Sequence, residues 1–161
     1  MTENTPERTV IFLLRMSMAW IFLYAASHQV FVTGFSVTSF LGTAKTFHDF
    51  FALFTGPAIA PAITFLVAYG HLLIGLSLLT GLLVRVSSVF AIGLMLIYWM
   101  AHMNFPFISD TTNFLVDEHI VFALVLGLLI VSHAGRVWGL DAWVAKRSDV
   151  TKQPLLAWAF A

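Results

Sequence analysis

A histidine in the middle of a long apolar segment is the first residue that could carry chemistry. His71 follows Pro61 by about 15 Å if the segment is helical, which is close to the midplane of a bilayer. A neutral imidazole there could donate to a quinone carbonyl, pass a proton or bind haem iron. Tyr69 lies beside it, and Gly75, one turn further on, is expected to leave room for a flat ligand. We therefore predict that Tyr69, His71 and Gly75 bind a cofactor and that His71 is catalytic; the alternative is a histidine that is hydrogen-bonded to a neighbouring helix.

A second ionisable side chain, Arg15, lies about 9 Å inside the first apolar segment by the same helical rise. Ionisable residues within a membrane span are costly, which makes them candidates for function. Arg15 is accordingly a second catalytic candidate that could hold a quinone headgroup or a redox partner. The alternative is a structural charge that pairs with Asp141 or reaches the lipid headgroups.

Histidines and a carboxylate gather at the opposite ends of the predicted helices. His102, with Trp99 one turn before it, ends the third helix, and Glu118 and His119 begin the fourth. Imidazole and carboxylate together suit zinc, copper or non-haem iron, but the spacing matches no known metal motif. We predict that Trp99, His102, Glu118 and His119 contact a quinone or relay protons; solvated interface residues are the open alternative. A metal or haem site built from His28, His102, Glu118 and His119 is a weaker alternative.

The composition is that of an integral membrane protein. Of the 161 residues, 60% are hydrophobic and only 10% are charged, and the mean hydropathy is +0.92; soluble domains carry about 25% charged residues. The net charge is zero and no basic block occurs, which argues against nucleic-acid binding. Cysteine is absent, which excludes disulfides and thiolate chemistry within the chain, so a redox role requires a bound cofactor or another subunit.

The apolar windows predict an all-α fold, a single transmembrane domain over residues 1–161 built as an antiparallel four-helix bundle. The windows predicted to span the membrane are 9–32, 59–83, 86–103 and 116–133. An amphipathic interfacial helix is predicted over 43–55, between the first two spans, and an interfacial segment over 139–161. The connection 104–117 is expected to be a polar loop.

The distribution of basic residues predicts the orientation. Every lysine and arginine except Lys45 falls on the side that holds both termini and the tight turn at Arg85. By the positive-inside rule, both termini are predicted to be cytoplasmic in a multi-pass protein of the cell (inner) membrane.

Several short motifs occur in a familiar order. They are Leu13-Leu14-Arg15, Phe22-Leu23-Tyr24-Ala25, Gly75-Leu76, Gly81-Leu82 with Arg85, and Gly135-Arg136-Val137-Trp138-Gly139-Leu140-Asp141. Over residues 13–145 the chain resembles the DoxX/DoxD-like family of small four-helix membrane proteins. It departs from that pattern at Ala19 and Ala26, where the family has glycines, at Gln29, where the family has a lysine, and at His71, where it usually has a glutamate.

That family includes membrane subunits of thiosulfate:quinone oxidoreductase. The resemblance therefore implies a quinone-linked redox subunit, a possible oxidoreductase component acting on reduced sulfur or thiol-derived electrons within a larger complex. Its expected partners are membrane lipids, quinone and other subunits. The alternative is a non-catalytic accessory subunit that stabilises a respiratory or photosynthetic membrane complex.

Overall fold

Four apolar helices, three of them long, form the body of the protein. The computed structural model describes residues 5–147 and 152–160. Within these ranges the helices are α1 (Thr5–Val30), α2 (Val37–Leu41), α3 (His48–Ala52), α4 (Ala60–Thr80), α5 (Val84–His102), α6 (Glu118–Val131), α7 (Asp141–Val144) and α8 (Pro154–Ala159), with a 3-10 turn at Ala134–Arg136. Helix α1 packs mainly on α4, and α5 mainly on α6. The four enclose a shared core that includes Met18, Phe22, Leu78, Leu126 and Leu129.

Three of the described helices, α1, α4 and α5, are long and apolar enough to cross a membrane. Helix α6 is apolar but has only 14 residues. It rises about 21 Å, less than the ~30 Å hydrocarbon core of a bilayer. Each predicted window overlaps one of these helices, and the number of membrane crossings made by the chain stays a prediction.

The predicted interfacial helix over 43–55 is only partly helical, because α3 (His48–Ala52) lies within the segment while α2 (Val37–Leu41) lies before it. Ser36 caps the start of α2 by accepting a hydrogen bond from the Thr38 amide, and Gly42 ends the helix. The Thr46 amide then donates to the Met103 carbonyl, 3.1 Å away, which draws the backbone out of a helical path. The aromatic residues still pack inward, and Phe51 of α3 is buried.

The connection between α5 and α6, expected to be a loop, contains a small antiparallel sheet. Its strands are β1 (Met103–Asn104), β2 (Phe107–Ile108) and β3 (Asp110–Phe114), paired in that order. Met103 lies opposite Ile108, and Phe107 lies opposite Phe114. Ile108 is fully buried, so burial of its side chain helps to fix the sheet onto the helices. The fold is therefore mostly helical rather than all-α.

The helices have two chemically different ends, a basic end and a cap end. The basic end contains Arg15, the turn between α4 and α5, and the segment 134–141. The cap end contains α2, α3 and the sheet. Of the predicted interfacial segment 139–161, α7 and α8 are helical, and residues 148–151 and 161 lie outside the described residues.

Candidate functional site: a cavity at the cap end

A cavity of about 470 Å³ lies between the long helices and the cap-end helices α2 and α3. Its volume is within the range of small-molecule sites. The walls are mainly apolar and aromatic, and include Phe35, Phe40, Phe50, Phe51, Phe54, Leu94 and Ile97. The polar lining residues are Gln29, His71, Tyr98, His102 and His119. Among the lining residues described, none is Asp, Glu, Lys or Arg, so the cavity suits a neutral, largely apolar ligand.

His71 and Tyr98 form a buried polar pair on the cavity wall. His71 is only 2% exposed, and its Nδ1 lies 2.7 Å from the Val67 carbonyl oxygen, one helical turn earlier. A carbonyl oxygen only accepts hydrogen bonds, so Nδ1 carries the imidazole hydrogen and Nε2 is an acceptor. The Tyr98 hydroxyl, 3.3 Å from Nε2, is the donor to it. His71 thus has no free N–H for a ligand carbonyl, which was one of the roles expected of it.

Two further histidines, His102 and His119, stack on each other with ring centroids 5.0 Å apart. His102 Nδ1 lies 2.9 Å from the Tyr98 carbonyl oxygen, and His119 Nδ1 lies 2.7 Å from Asp117 Oδ2. Asp117 also caps α6, accepting at Oδ1 from the amides of His119 and Ile120. The sequence identified both histidines but gave no sign that Asp117 would fix the ring of His119.

Gln29 is a cavity residue that the search for ionisable groups missed. Its side-chain amide approaches the Tyr98 hydroxyl. Its Oε1 is buried, and within the described part of the chain it has no hydrogen-bond partner. Gln29 and His71, two of the four departures from the family pattern, line the same cavity, whereas Ala19 and Ala26 do not. That coincidence is the signal that could have pointed to Gln29.

Several predicted cofactor contacts do not line this cavity. Tyr69 is 41% exposed on the surface of α4. Gly75 does not leave room for a ligand, because a Cβ added there would meet the side chain of Leu23; this expectation is wrong, and the glycine instead allows α1 and α4 to approach closely. Trp99 donates through Nε1 to a carbonyl in the sheet-to-α6 connection, and Glu118 is exposed.

The histidines and carboxylates proposed as a metal set are only partly brought together. His102 and His119 are neighbours, but His28 is exposed on α1, where its Nδ1 contacts the Tyr24 carbonyl oxygen. Potential ligand atoms of Asp117, Glu118 and His119 lie within 4.8 Å of one another. The bond between Asp117 and His119 Nδ1 already occupies two of these groups, so the donor set suits a helix cap better than a metal centre.

Arg15 lies at the basic end and does not line the cavity. It is 1% exposed, and its Nη1 donates to the carbonyl oxygens of Ala134 and Val137, the latter at 2.9 Å. Its Nη2 donates to the Trp138 carbonyl at 3.3 Å. These bonds tie α1 to the segment that follows α6, which is the geometry expected of a structural charge.

Asp141 is a second buried charged residue at the basic end. Fully buried, it accepts hydrogen bonds from the amides of Leu83 (2.7 Å) and Val84 (3.2 Å) at the start of α5. Burial raises the pKa of the Asp141 carboxyl, against the opposing effects of these amides and of Arg136 and Arg15. The basic end is thus a set of buried charges that bond to backbone.

Two glycines, Gly81 and Gly139, let the backbone lie close to the Arg15 guanidinium. Gly81 adopts a φ of +71°, which favours glycine, and ends α4. A Cβ added at Gly81 or Gly139 would meet the Arg15 guanidinium and the backbone of the other glycine. No space for a ligand remains between them.

Comparison with known proteins supplies the family. The family model DoxX matches residues 10–104, more than half of the 161-residue chain. The matched stretch contains Arg15, Gln29, His71, Tyr98 and His102. No curated protein and no solved structure shows significant similarity to the chain. Together with the apolar helices, the match confirms the resemblance noted in the sequence: the chain belongs to the DoxX family and is a multi-pass membrane protein.

Proposed function

We propose that the protein is a quinone-linked redox subunit of a larger membrane complex and that the cap-end cavity binds the quinone. The observation that carries this proposal is the buried His71–Tyr98 pair in an aromatic cavity without charged lining residues. His71 lies in the middle of the 21-residue helix α4, at the depth where a membrane-dissolved ligand would be held.

The cavity residues fit the parts of a quinone. The flat ring and the apolar tail suit the aromatic walls, where Phe40 contacts both Tyr98 and His102 edge-on. Gln29 supplies a polar side chain that can orient a ring oxygen, since the Tyr98 hydroxyl hydrogen is directed to His71. Phe50 and Leu53 are exposed beside the cavity, which gives the tail an apolar route towards lipid.

A bound quinone would supply two-electron redox chemistry, which the side chains of this chain do not provide. The electrons would come from another subunit or donor, with reduced sulfur or thiols as the class that the family suggests. In this proposal the basic end faces the cytoplasm across the cell (inner) membrane, and Arg15 holds the helices together instead of contacting the quinone.

An accessory role is the second candidate, and the lipid-facing surface favours it. Nothing lies within 4 Å of a Cβ added at Gly70, Gly93 or Gly127, so α4, α5 and α6 each offer a shallow site where another helix could pack. In a purely accessory subunit, the cavity would not bind quinone.

The experiment is a binding titration of the protein in phosphatidylcholine nanodiscs. Decylubiquinone and its reduced form are added separately, and tryptophan fluorescence reports binding. We expect at least one form to bind, and His71→Leu to weaken that binding at least about tenfold, because the Tyr98 hydroxyl loses its acceptor.

The matched control is His28→Leu, a histidine on α1 outside the cavity, for which we expect unchanged affinity. Binding of neither form to the wild-type protein would contradict the proposal and favour the accessory role. Equal effects of His71→Leu and His28→Leu would contradict the assignment of the site.

A further inference from the structure

We infer that the cavity recognises a hydroquinone, the hydroxyl-bearing reduced form, in preference to the quinone. The inference rests on the proposed function and concerns which redox form the same cavity binds. It follows from the direction of the hydrogen bonds among the polar residues that line the cavity.

The neighbours of each cavity histidine determine which of its ring nitrogens carries the hydrogen. Nδ1 of His71 faces the Val67 carbonyl, Nδ1 of His102 faces the Tyr98 carbonyl, and Nδ1 of His119 faces the Asp117 carboxylate. These oxygens accept hydrogen bonds. Each neutral imidazole therefore carries its hydrogen on Nδ1 and presents the lone pair of Nε2.

The hydrogen-bond directions at Tyr98 also fix which group of Gln29 faces it. The Tyr98 hydroxyl hydrogen is directed to His71 Nε2, so the Tyr98 oxygen can only accept from Gln29. The Gln29 N–H therefore faces Tyr98, and Gln29 Oε1 faces away from it. That Oε1 is the buried atom without a partner among the described residues.

Together, these hydrogen-bond directions leave mainly acceptors available to a ligand in the cavity. The lining offers acceptors at Gln29 Oε1, which has no hydrogen-bond partner in the described ranges, and at His102 Nε2 and His119 Nε2. The hydroxyl of Tyr98 and the N–H groups of the histidines are already committed, which leaves the second N–H of Gln29 as the remaining donor among these residues. A quinone brings only carbonyl acceptors, whereas a hydroquinone brings two O–H donors.

The expected preference follows from the number of matched bonds. One neutral hydrogen bond changes affinity by roughly three- to tenfold. With two hydroxyls to place, we expect decylubiquinol to bind at least about tenfold more tightly than decylubiquinone, measured anaerobically at pH 8 in the same nanodiscs.

Asp117→Asn tests the direction of one bond without removing the helix cap. Asparagine can keep its oxygen towards the α6 amides, and its NH₂ then faces His119 Nδ1. His119 would move its hydrogen to Nε2 and become a donor in the cavity. We expect the ratio of quinone to hydroquinone dissociation constants to fall by about tenfold.

Asp49→Asn is the matched control, because Asp49 is an exposed carboxylate that also contacts a histidine ring, that of His48. It should leave the ratio unchanged. Gln29→Leu is an independent variant that touches no helix cap and keeps the test valid if Asp117→Asn fails to fold. It should weaken hydroquinone binding three- to tenfold more than it weakens quinone binding.

The outcomes separate the two proposals. Preference for decylubiquinol that falls in Asp117→Asn and not in Asp49→Asn supports the inference. Equal affinity for both forms, or tighter binding of decylubiquinone, overturns the inference and leaves the proposed function standing. Binding of neither form overturns both.

Discussion

The basic end and the cap end of this protein both bury polar groups between the same four helices, but they treat them differently. At the basic end, Arg15 and Asp141 are charged residues whose hydrogen bonds go to backbone. At the cap end, the polar groups that line the cavity are neutral, and the acceptor Gln29 Oε1 has no protein partner within the described ranges.

The difference shows how one small bundle can combine rigidity with a binding site. A buried charge is tolerated only when hydrogen bonds compensate for its lost hydration. The basic end provides backbone partners for Nη1 and Nη2 of Arg15, although its Nε has none among the described residues. A buried acceptor without a partner costs about 1–3 kcal/mol, which a suitable ligand would recover. The basic end therefore holds the helices together, while the cap end keeps a cavity open.

The largest expected effect comes from Arg15→Ala. The variant leaves the carbonyls of Ala134, Val137 and Trp138 without their donor and removes a positive charge near Asp141. We expect a loss of at least about 3 kcal/mol in the free energy of unfolding, measured as a lowered thermal midpoint in nanodiscs.

Arg147→Ala is the control for that prediction, because Arg147 is an exposed arginine that stacks on Trp143. Its removal should change the midpoint little. If the two variants lower the midpoint equally, the basic end is not the rigid end of the molecule.

A smaller effect is expected from Gly81→Ala. The new Cβ would strain the left-handed backbone and press on Gly139 and Arg15, so we expect a loss of about 1–3 kcal/mol in unfolding free energy. Gly93→Ala is the control, since its Cβ would meet nothing within 4 Å. Both folded variants should bind ligand as the wild type does; weakened binding in Gly81→Ala alone would show that the two ends are coupled.

The sequence predicts the long helices well because apolar runs and the Gly-rich turn are local signals. The structural role of Arg15 was also predictable as one of two alternatives, since a lone charge in an apolar segment needs hydrogen-bond partners. The short sheet was missed because its strands are fixed by contacts such as Thr46 with Met103, which are distant in the chain.

The cavity was only partly predictable for a related reason. His71, His102 and His119 stand out as ionisable residues in apolar surroundings, but Tyr98 and Gln29 do not. Their importance depends on which helix faces meet, and periodicity alone does not determine that. Gly75 illustrates the reverse error, because a small residue can admit either a ligand or a neighbouring helix.

The most direct test of the account is hydrogen–deuterium exchange of the nanodisc-embedded protein with and without decylubiquinol. We predict slower exchange in α2, in α3 and in the cap-end turns of α4 and α5, and unchanged exchange in the segment 134–141. Unchanged exchange throughout, or protection centred on 134–141, would contradict the claim that the cap end binds the ligand while the basic end holds the helices.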